Sequence, residues 1–217
     1  MKKKYSYTEK KEIESKIVLS NFQKQSFKEQ INQYLKNQMN EYETFYLELT
    51  PKIIMQNGAA NYKLIMYKKT IKKILNFTDE AHNIGIDLLT KIPKLMIEPL
   101  IILKGNEPNT IVLIIELEPP LLIALSINAK ENEHEVTRIL SIYKKRGIIS
   151  YLVNHSRDII DFYDLKKTNL WLITKGLTLT INNTLDDTGL QLPKFPNKDL
   201  SYKYIICLKD KKNNKQS

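Results

Sequence analysis

Three apolar runs in quick succession constrain the fold of this chain more than any other feature. They are rich in isoleucine, leucine and valine, and they span Leu100–Leu103, Ile111–Leu117 and Leu121–Ile127. Short apolar runs bounded by turn residues are typical of buried β-strands. The dipeptide Pro119-Pro120 supplies the tight connection between the second and third runs, so we predict a hairpin at this point.

A cluster of hydroxyl and basic residues follows these runs: Ser141, Tyr143, Lys144 and Lys145. Apolar residues at helical spacing predict a helix over Glu131–Lys145. On such a helix Ser141 shares a face with Lys144 or Lys145, whereas Tyr143 points to a different side. Hydroxyl and ammonium groups at the exit of a rigid core can hold a phosphate. The alternative interpretation is an ordinary helix end, with Tyr143 in the core and the lysines in solvent.

The remaining sequence predicts a mixture of helices and strands. Residues 7–43 form one long predicted helix, because apolar residues recur at near-helical spacing without an intervening proline or glycine. Thr78 is the predicted N-cap of a helical region that extends to Met96 and is kinked or split at Pro93. The other predicted helices are Pro51–Met55, Lys68–Asn76, Ile148–Asn154 and Lys166–Thr174, and the other predicted strands are Phe45–Leu49, Tyr62–Tyr67, Ile159–Tyr163, Leu177–Ile181 and Tyr202–Leu208.

The net charge of +10 is concentrated in particular segments. Residues 1–44 carry nine lysines against six glutamates, and residues 194–217 carry seven lysines against two aspartates. Residues 138–175 carry eight basic side chains against three acidic ones. A local basic face suits a polyanion, and RNA is the common case. A lysine-rich solvated surface is the alternative interpretation.

The composition argues against several classes of protein. The single Cys207 rules out an intrachain disulfide and fits a reducing compartment. No apolar run is long enough to cross a bilayer, and no apolar signal region follows the basic amino terminus. We therefore expect a cytoplasmic protein with no membrane partner. The sequence also lacks a glycine-rich phosphate loop, metal-ligand spacing and a Gly-x-Ser-x-Gly elbow, so we expect no metal and no cofactor.

His82 is the natural candidate for proton transfer, since an imidazole titrates near neutral pH. A surface or capping histidine is the alternative interpretation of this residue. His134 and His155 have polar and charged neighbours in the sequence, and we interpret both as solvated. Trp171 could stack on a base, but a lone tryptophan in a leucine-rich helix more often belongs to a core. Glu116 is interpreted as the exposed end of a strand rather than a catalytic carboxylate.

The order of several landmarks resembles a known family. The landmarks are Leu49-Thr-Pro51, Gly58, His82, Ile92-Pro93, Glu98–Ile102, Val112–Glu116, Ile139–Lys144, Phe162–Lys166 and Thr188–Pro193. In this order they resemble the phage-associated, MuF C-terminal-like branch of the barnase–EndoU–colicin–RelE-like nuclease superfamily. Together with the predicted long helix, the resemblance implies an α+β fold, with small helices packed on a twisted, mainly antiparallel sheet. It divides the chain into a helical extension at 1–44, a nuclease domain at 45–193 and a basic, partly disordered tail at 194–217.

The resemblance also implies a function and a set of candidate residues. It implies a metal-independent ribonuclease of phage or mobile-element origin, a toxin or effector that cleaves RNA by 2′-hydroxyl attack to a cyclic phosphate. The catalytic candidates are His82, Ser141 and Lys144, and the candidate RNA contacts are Tyr143, Lys145, Tyr163 and Lys166. The expected partners are RNA, with tRNA as one candidate, and an immunity, antitoxin or phage protein that binds the N-terminal helix. The alternative is a catalytically inactive module of the same fold that binds nucleic acid or protein.

Overall fold

A mixed β-sheet is the central element of the structure. The computed structural model describes residues 25–36, 44–76, 78–131, 134–182 and 203–208. Seven strands of this part form one sheet, in the order β1-β2-β6-β5-β4-β3-β7. These strands are β1 (Thr44–Leu49), β2 (Lys63–Tyr67), β3 (Ile101–Lys104), β4 (Thr110–Ile115), β5 (Leu121–Glu131), β6 (His134–Lys144) and β7 (Ile159–Asp161). Only β2 and β6 run parallel within this sheet, so the predicted α+β class with a mainly antiparallel sheet is confirmed.

The remaining elements pack around this sheet. The helices of the described part are α1 (Phe27–Leu35), α2 (Lys52–Gln56), α3 (Lys68–Ile74), α4 (Ile86–Leu89), α5 (Ile92–Leu95), α6 (Ile148–Asn154) and α7 (Leu165–Thr174), with a single 3₁₀ turn at Ser156–Asp158. Two further strands, β8 (Leu177–Asn182) and β9 (Lys203–Leu208), pair with each other antiparallel. None of the helices in these ranges has the length and apolar character needed to cross a lipid bilayer.

The predicted hairpin between the second and third apolar runs is present. Strands β4 and β5 pair along their length, and Ile115 lies opposite Leu121 at the closed end. Pro119 and Pro120 form the connection, and the Glu118–Pro119 peptide bond is cis. The three apolar runs therefore become the adjacent strands β3, β4 and β5.

The N-terminal helix begins later than the sequence predicts. Ser26 is extended, its side chain accepts a hydrogen bond from the Glu29 N–H at 3.3 Å, and its own N–H donates to the Glu29 carboxylate at 2.7 Å. This capping box starts α1 at Phe27, because the reciprocal bonds satisfy amide groups that a first helical turn leaves unpaired. The prediction of one unbroken helix over 7–43 is therefore wrong, because the chain is extended at Ser26 and a helix starts after it. Residues 1–24 and 37–43 of that prediction lie outside the described residues.

Helix α1 packs on the edge strand β1. The Tyr46 N–H donates to the Gln30 side-chain oxygen at 2.9 Å, and the Gln30 amide nitrogen donates to the Tyr46 carbonyl at 2.7 Å. Gln30 is fully buried, and Phe27 and Ile31 belong to the same core as the sheet. The helix is thus integrated with the sheet through both apolar packing and paired backbone groups.

Two groups of buried side chains cover the two faces of the sheet. The first core contains Ile123 of β5 and Ile142 of β6 together with side chains from helices α1 to α5. The second core contains Leu122 of β5 and lies beneath α6, α7, β8 and β9. Because neighbouring residues of a strand point to opposite faces, one strand contributes to both cores.

Strand β6 replaces the helix predicted over Glu131–Lys145. The register with β5 shifts within β6, because Ser141 lies opposite Ala124 while Ile139 lies opposite Leu125. Leu140 is therefore the extra residue of a β-bulge, and its side chain is 40% exposed. As a result Ile139 and Ile142 both enter the first core at a spacing of three residues, which imitates the period of a helix.

Candidate active site

A short turn places His82 at the end of β6. The carbonyl of Ala81 accepts a hydrogen bond from the Lys144 N–H at 2.8 Å, so this turn extends the sheet beyond the end of β2. The Thr78 hydroxyl donates to Asn76 rather than capping a helix, and residues 78–83 form a turn. The predicted helix N-cap at Thr78 is therefore wrong. Asp79 organises the turn instead, and its Oδ1 accepts from the His82 N–H at 3.1 Å.

The same aspartate also contacts the imidazole of His82. Nδ1 of His82 lies 2.8 Å from Oδ2 of Asp79, an ion-pair distance without the alignment of a hydrogen bond. This pairing holds the pKa of Asp79 below its usual value. The His82 side chain is 19% exposed, so the ring is held in the protein surface with limited contact to water.

His82 begins a row of four rings. Its ring centroid lies 5.6 Å from that of Tyr143, which projects from β6 towards the second core. At the other end of the row, Tyr151 of α6 and His155 have ring centroids 4.4 Å apart. Burial raises the pKa of Tyr151 to about 12, with additional contributions from Tyr143 and Asp158. The effect of Tyr143 on the pKa of Tyr151 indicates that the two ring pairs are neighbours, and we call the set His82, Tyr143, Tyr151 and His155 the four-ring row.

The second histidine of the row repeats the chemistry of the first. Nδ1 of His155 lies 2.9 Å from Oδ2 of Asp158, and the imidazole is 35% exposed. Each imidazole therefore presents Nδ1 to an aspartate, which leaves Nε2 as the nitrogen that can exchange protons with another group. The sequence interpretation of His155 as a solvated residue missed this arrangement.

Cationic groups lie beside the four-ring row. The Lys145 ammonium lies 5.1 Å from the centre of the Tyr151 ring, and the Lys145 N–H donates to the Pro120 carbonyl at 2.8 Å. Arg146 forms an exposed ion pair with Glu80 at 3.2 Å. The site thus combines two imidazoles with positive charge at the exit of the sheet.

Because β6 is a strand and not the predicted helix, a different set of the predicted site residues shares one face. Ser141 and Tyr143 are two residues apart on β6, so they share the face that carries the four-ring row. Lys144 lies opposite Leu121 and projects to the other face. The expectation that Ser141 shares a face with Lys144 and not with Tyr143 is therefore wrong, because it assumed a helix.

Two predicted RNA contacts lie elsewhere in the molecule. Tyr163 follows β7, and its hydroxyl donates to Glu98 at 3.3 Å. Lys166 is exposed on α7. Strand β7 is four positions from β6 in the strand order, and it forms one edge of the sheet. The structure therefore groups His82, Ser141, Tyr143 and Lys145, and it places Tyr163 and Lys166 apart from them.

One family model matches the part of the chain that carries the four-ring row. The family model of the phage MuF C-terminal domain matches residues 73–170, which is less than half of the chain. The matched range begins in α3, ends in α7 and contains the whole four-ring row. No curated protein and no solved structure matches the chain significantly. Residues 73–170 are similar to a phage domain, and this similarity supports an association of the chain with phage proteins.

Proposed function

We propose that this protein is a metal-independent ribonuclease that acts as a phage or mobile-element toxin or effector. In the proposed reaction the 2′-hydroxyl of RNA attacks the adjacent phosphorus and leaves a cyclic phosphate. The observation that carries the proposal is the four-ring row, in which two histidines, each paired with an aspartate, flank two tyrosines. The similarity to a phage domain over residues 73–170 supports the proposed origin.

Two imidazoles are suited to the proton transfers of this reaction. One imidazole accepts the proton of the 2′-hydroxyl while the new oxygen–phosphorus bond forms. The other donates a proton to the leaving oxygen as its bond to phosphorus breaks, so the net charge of the enzyme is unchanged and exchange of protons with water restores the starting protonation state of each imidazole. Among the described residues, no group of three or more histidine, cysteine, aspartate and glutamate side chains is placed to hold a metal ion.

The remaining groups of the site suit the phosphate. Lys145 carries a positive charge next to Tyr151, where it can stabilise the negative charge that develops on the phosphorane. Ser141 offers a hydroxyl donor on the same face as Tyr143. We therefore assign proton transfer to His82 and His155 and phosphate contacts to Ser141 and Lys145, with the proposed site of action in the host cytoplasm.

The decisive experiment measures RNA cleavage in EDTA. Purified protein is incubated with total RNA and tRNA, and the ends of the products are analysed for a cyclic phosphate. We expect His82→Gln and His155→Gln each to lower the cleavage rate roughly a hundredfold or more, because each removes a proton-transfer group. His134→Gln is the matched control, since His134 is exposed at the opposite end of β6, and we expect it to cleave like the unchanged protein.

Two outcomes would contradict the proposal. If His82→Gln and His155→Gln both cleave normally, the four-ring row is not the active site. If the folded protein leaves RNA intact, the alternative of a binding module gains support. That alternative predicts RNA binding that weakens steeply as the salt concentration rises, without strand scission.

A further inference from the structure

A cavity of about 420 Å³ opens at the opposite end of β6 from His82. Its apolar walls come from Tyr46, Tyr62, Ile65 and Val136. The volume lies within the range of about 300–1,000 Å³ that is common for small-ligand sites. From Val136 to Tyr143 the strand covers on the order of 20 Å, so the cavity is separate from the four-ring row.

Carboxylates outnumber ammonium groups in the lining of this cavity. Glu131 and Glu135 belong to it together with Lys63 and His134, in a chain whose net charge is +10. A hydrogen bond with Glu135 is the main cause that raises the pKa of Tyr62. Glu131 is already engaged, because it hydrogen-bonds the Tyr67 hydroxyl, which accepts from Arg138 at 2.9 Å. Each carboxylate thus has a tyrosine hydroxyl as a partner, but Arg138 is linked only to Glu131 through Tyr67, so the charge of Glu135 is the less compensated of the two.

The chain already places one ammonium group on the aromatic wall. Nζ of Lys63 lies 5.7 Å from the centre of the Tyr46 ring. A cation over the face of a tyrosine is attracted by the negative charge of the ring. The contact of Lys63 with Tyr46 identifies this wall as a surface that favours ammonium groups. The carboxylates of Glu131 and Glu135 and the faces of the tyrosine rings carry negative charge, so they disfavour a phosphate.

We propose that this cavity binds a small aliphatic amine. The alkyl stem packs between the side chains of Tyr46 and Tyr62 and against Val136, and the ammonium pairs with Glu135. The cavity has the size of a compact ligand. Its apolar walls suit an alkyl stem, and its two carboxylates suit a positive charge at the end of that stem. Lys63 competes with the ligand for the Tyr46 ring.

A titration with hexylamine, followed by isothermal calorimetry on the full chain, tests this proposal. Hexanol is the neutral comparison, because it has the same alkyl stem without the charge. We expect hexylamine to bind at least about fivefold more tightly than hexanol, in line with an exposed ion pair supplemented by a cation–π contact. Glu135→Gln should weaken hexylamine binding by roughly fivefold and leave hexanol binding unchanged.

Two further variants make the test specific. Lys63→Met should tighten hexylamine binding by about twofold, because it removes the competing ammonium from the Tyr46 ring. Glu107→Gln is the charge-matched control, since Glu107 is exposed in the turn between β3 and β4, and it should leave binding unchanged. Equal affinity for hexanol and hexylamine, unchanged binding in Glu135→Gln, or no binding at all would each overturn the proposal. RNA is absent from the titration, so these results are independent of the proposed ribonuclease activity.

Discussion

Tyr151 shows most clearly how the site alters the chemistry of a single residue. Its ring contacts His155 on one side and the Lys145 ammonium on the other. Burial, the neighbouring Tyr143 and the Asp158 carboxylate all oppose ionisation of the phenol, and they raise its pKa to about 12. At neutral pH the Tyr151 phenol is therefore uncharged.

The raised pKa predicts a loss of stability at alkaline pH. The folded-state pKa lies above the ordinary value near 10, so the contribution of Tyr151 to stability is complete below about pH 10. It is lost as the pH rises from there through about 12, and it amounts to roughly 2–3 kcal/mol. Urea unfolding at a series of pH values should show this decline in the unchanged protein and a smaller decline in Tyr151→Phe. An identical decline in both would contradict the assignment.

The sequence predicts one half of the candidate site and misses the other. His82 could be identified because its context and its place in the landmark series favour a functional histidine. His155 was missed because its sequence neighbours are polar, although its spacing of four residues from Tyr151 at the end of α6 is what brings the two rings together. A usable signal was present, since Asp79 and His82 are three residues apart and His155 and Asp158 repeat that spacing.

At the scale of elements, β6 shows why a local pattern can predict the wrong structure. Apolar side chains at helical spacing also fit a strand that contains one β-bulge. The bulge at Leu140 moves Ile139 and Ile142 to the same face, and only pairing with β5 and β2 distinguishes the two structures. The strands β3, β4 and β5 were predictable because their apolar runs are short and separated by turn residues.

The contact between α1 and β1 leads to a stability prediction. Gln30→Leu preserves side-chain size but leaves the N–H and C=O groups of Tyr46 without the Gln30 amide. We expect a loss of about 1–3 kcal/mol in the free energy of unfolding, because unpaired buried backbone groups are costly. Urea denaturation followed by circular dichroism measures the change. Gln56→Leu is the matched control, since Gln56 is exposed on α2 and should change stability by less than about 0.5 kcal/mol. Equal effects of the two substitutions would count against the role of Gln30.

At the scale of the whole molecule, segments far apart in the sequence complete the two cores. Phe27 and Ile31 enter the first core, although they lie in the predicted N-terminal extension. Ile206 of β9 enters the second core, although it lies in the predicted basic tail. The limits of the predicted parts at 44 and 193 stay predictions, but both cores use side chains from beyond them. Charge and composition describe the surface of those end segments and do not reveal which apolar residues within them are buried.

The burial of Ile206 predicts that the end of the described chain stabilises the fold. Ile206 is 1% exposed, so Ile206→Ala should cost about 2–4 kcal/mol through lost apolar contact and a residual cavity. Ile160 of β7 is 42% exposed, and Ile160→Ala should have a much smaller effect. Thermal unfolding monitored by calorimetry compares the two variants. A similar shift of the melting temperature in both would mean that β9 does not stabilise the second core.

The pairing of β8 with β9 affects how readily residues can be inserted or deleted between these two strands. Asn182 lies opposite Lys203, so these two residues are held side by side although twenty residues separate them along the chain. The entropy lost when the two ends of a chain segment are brought together depends only weakly on its length, and doubling the length costs about 0.6 kcal/mol. Residues can therefore be added to or removed from this connection at low energetic cost, while the register of the two strands and the burial of Ile206 are preserved.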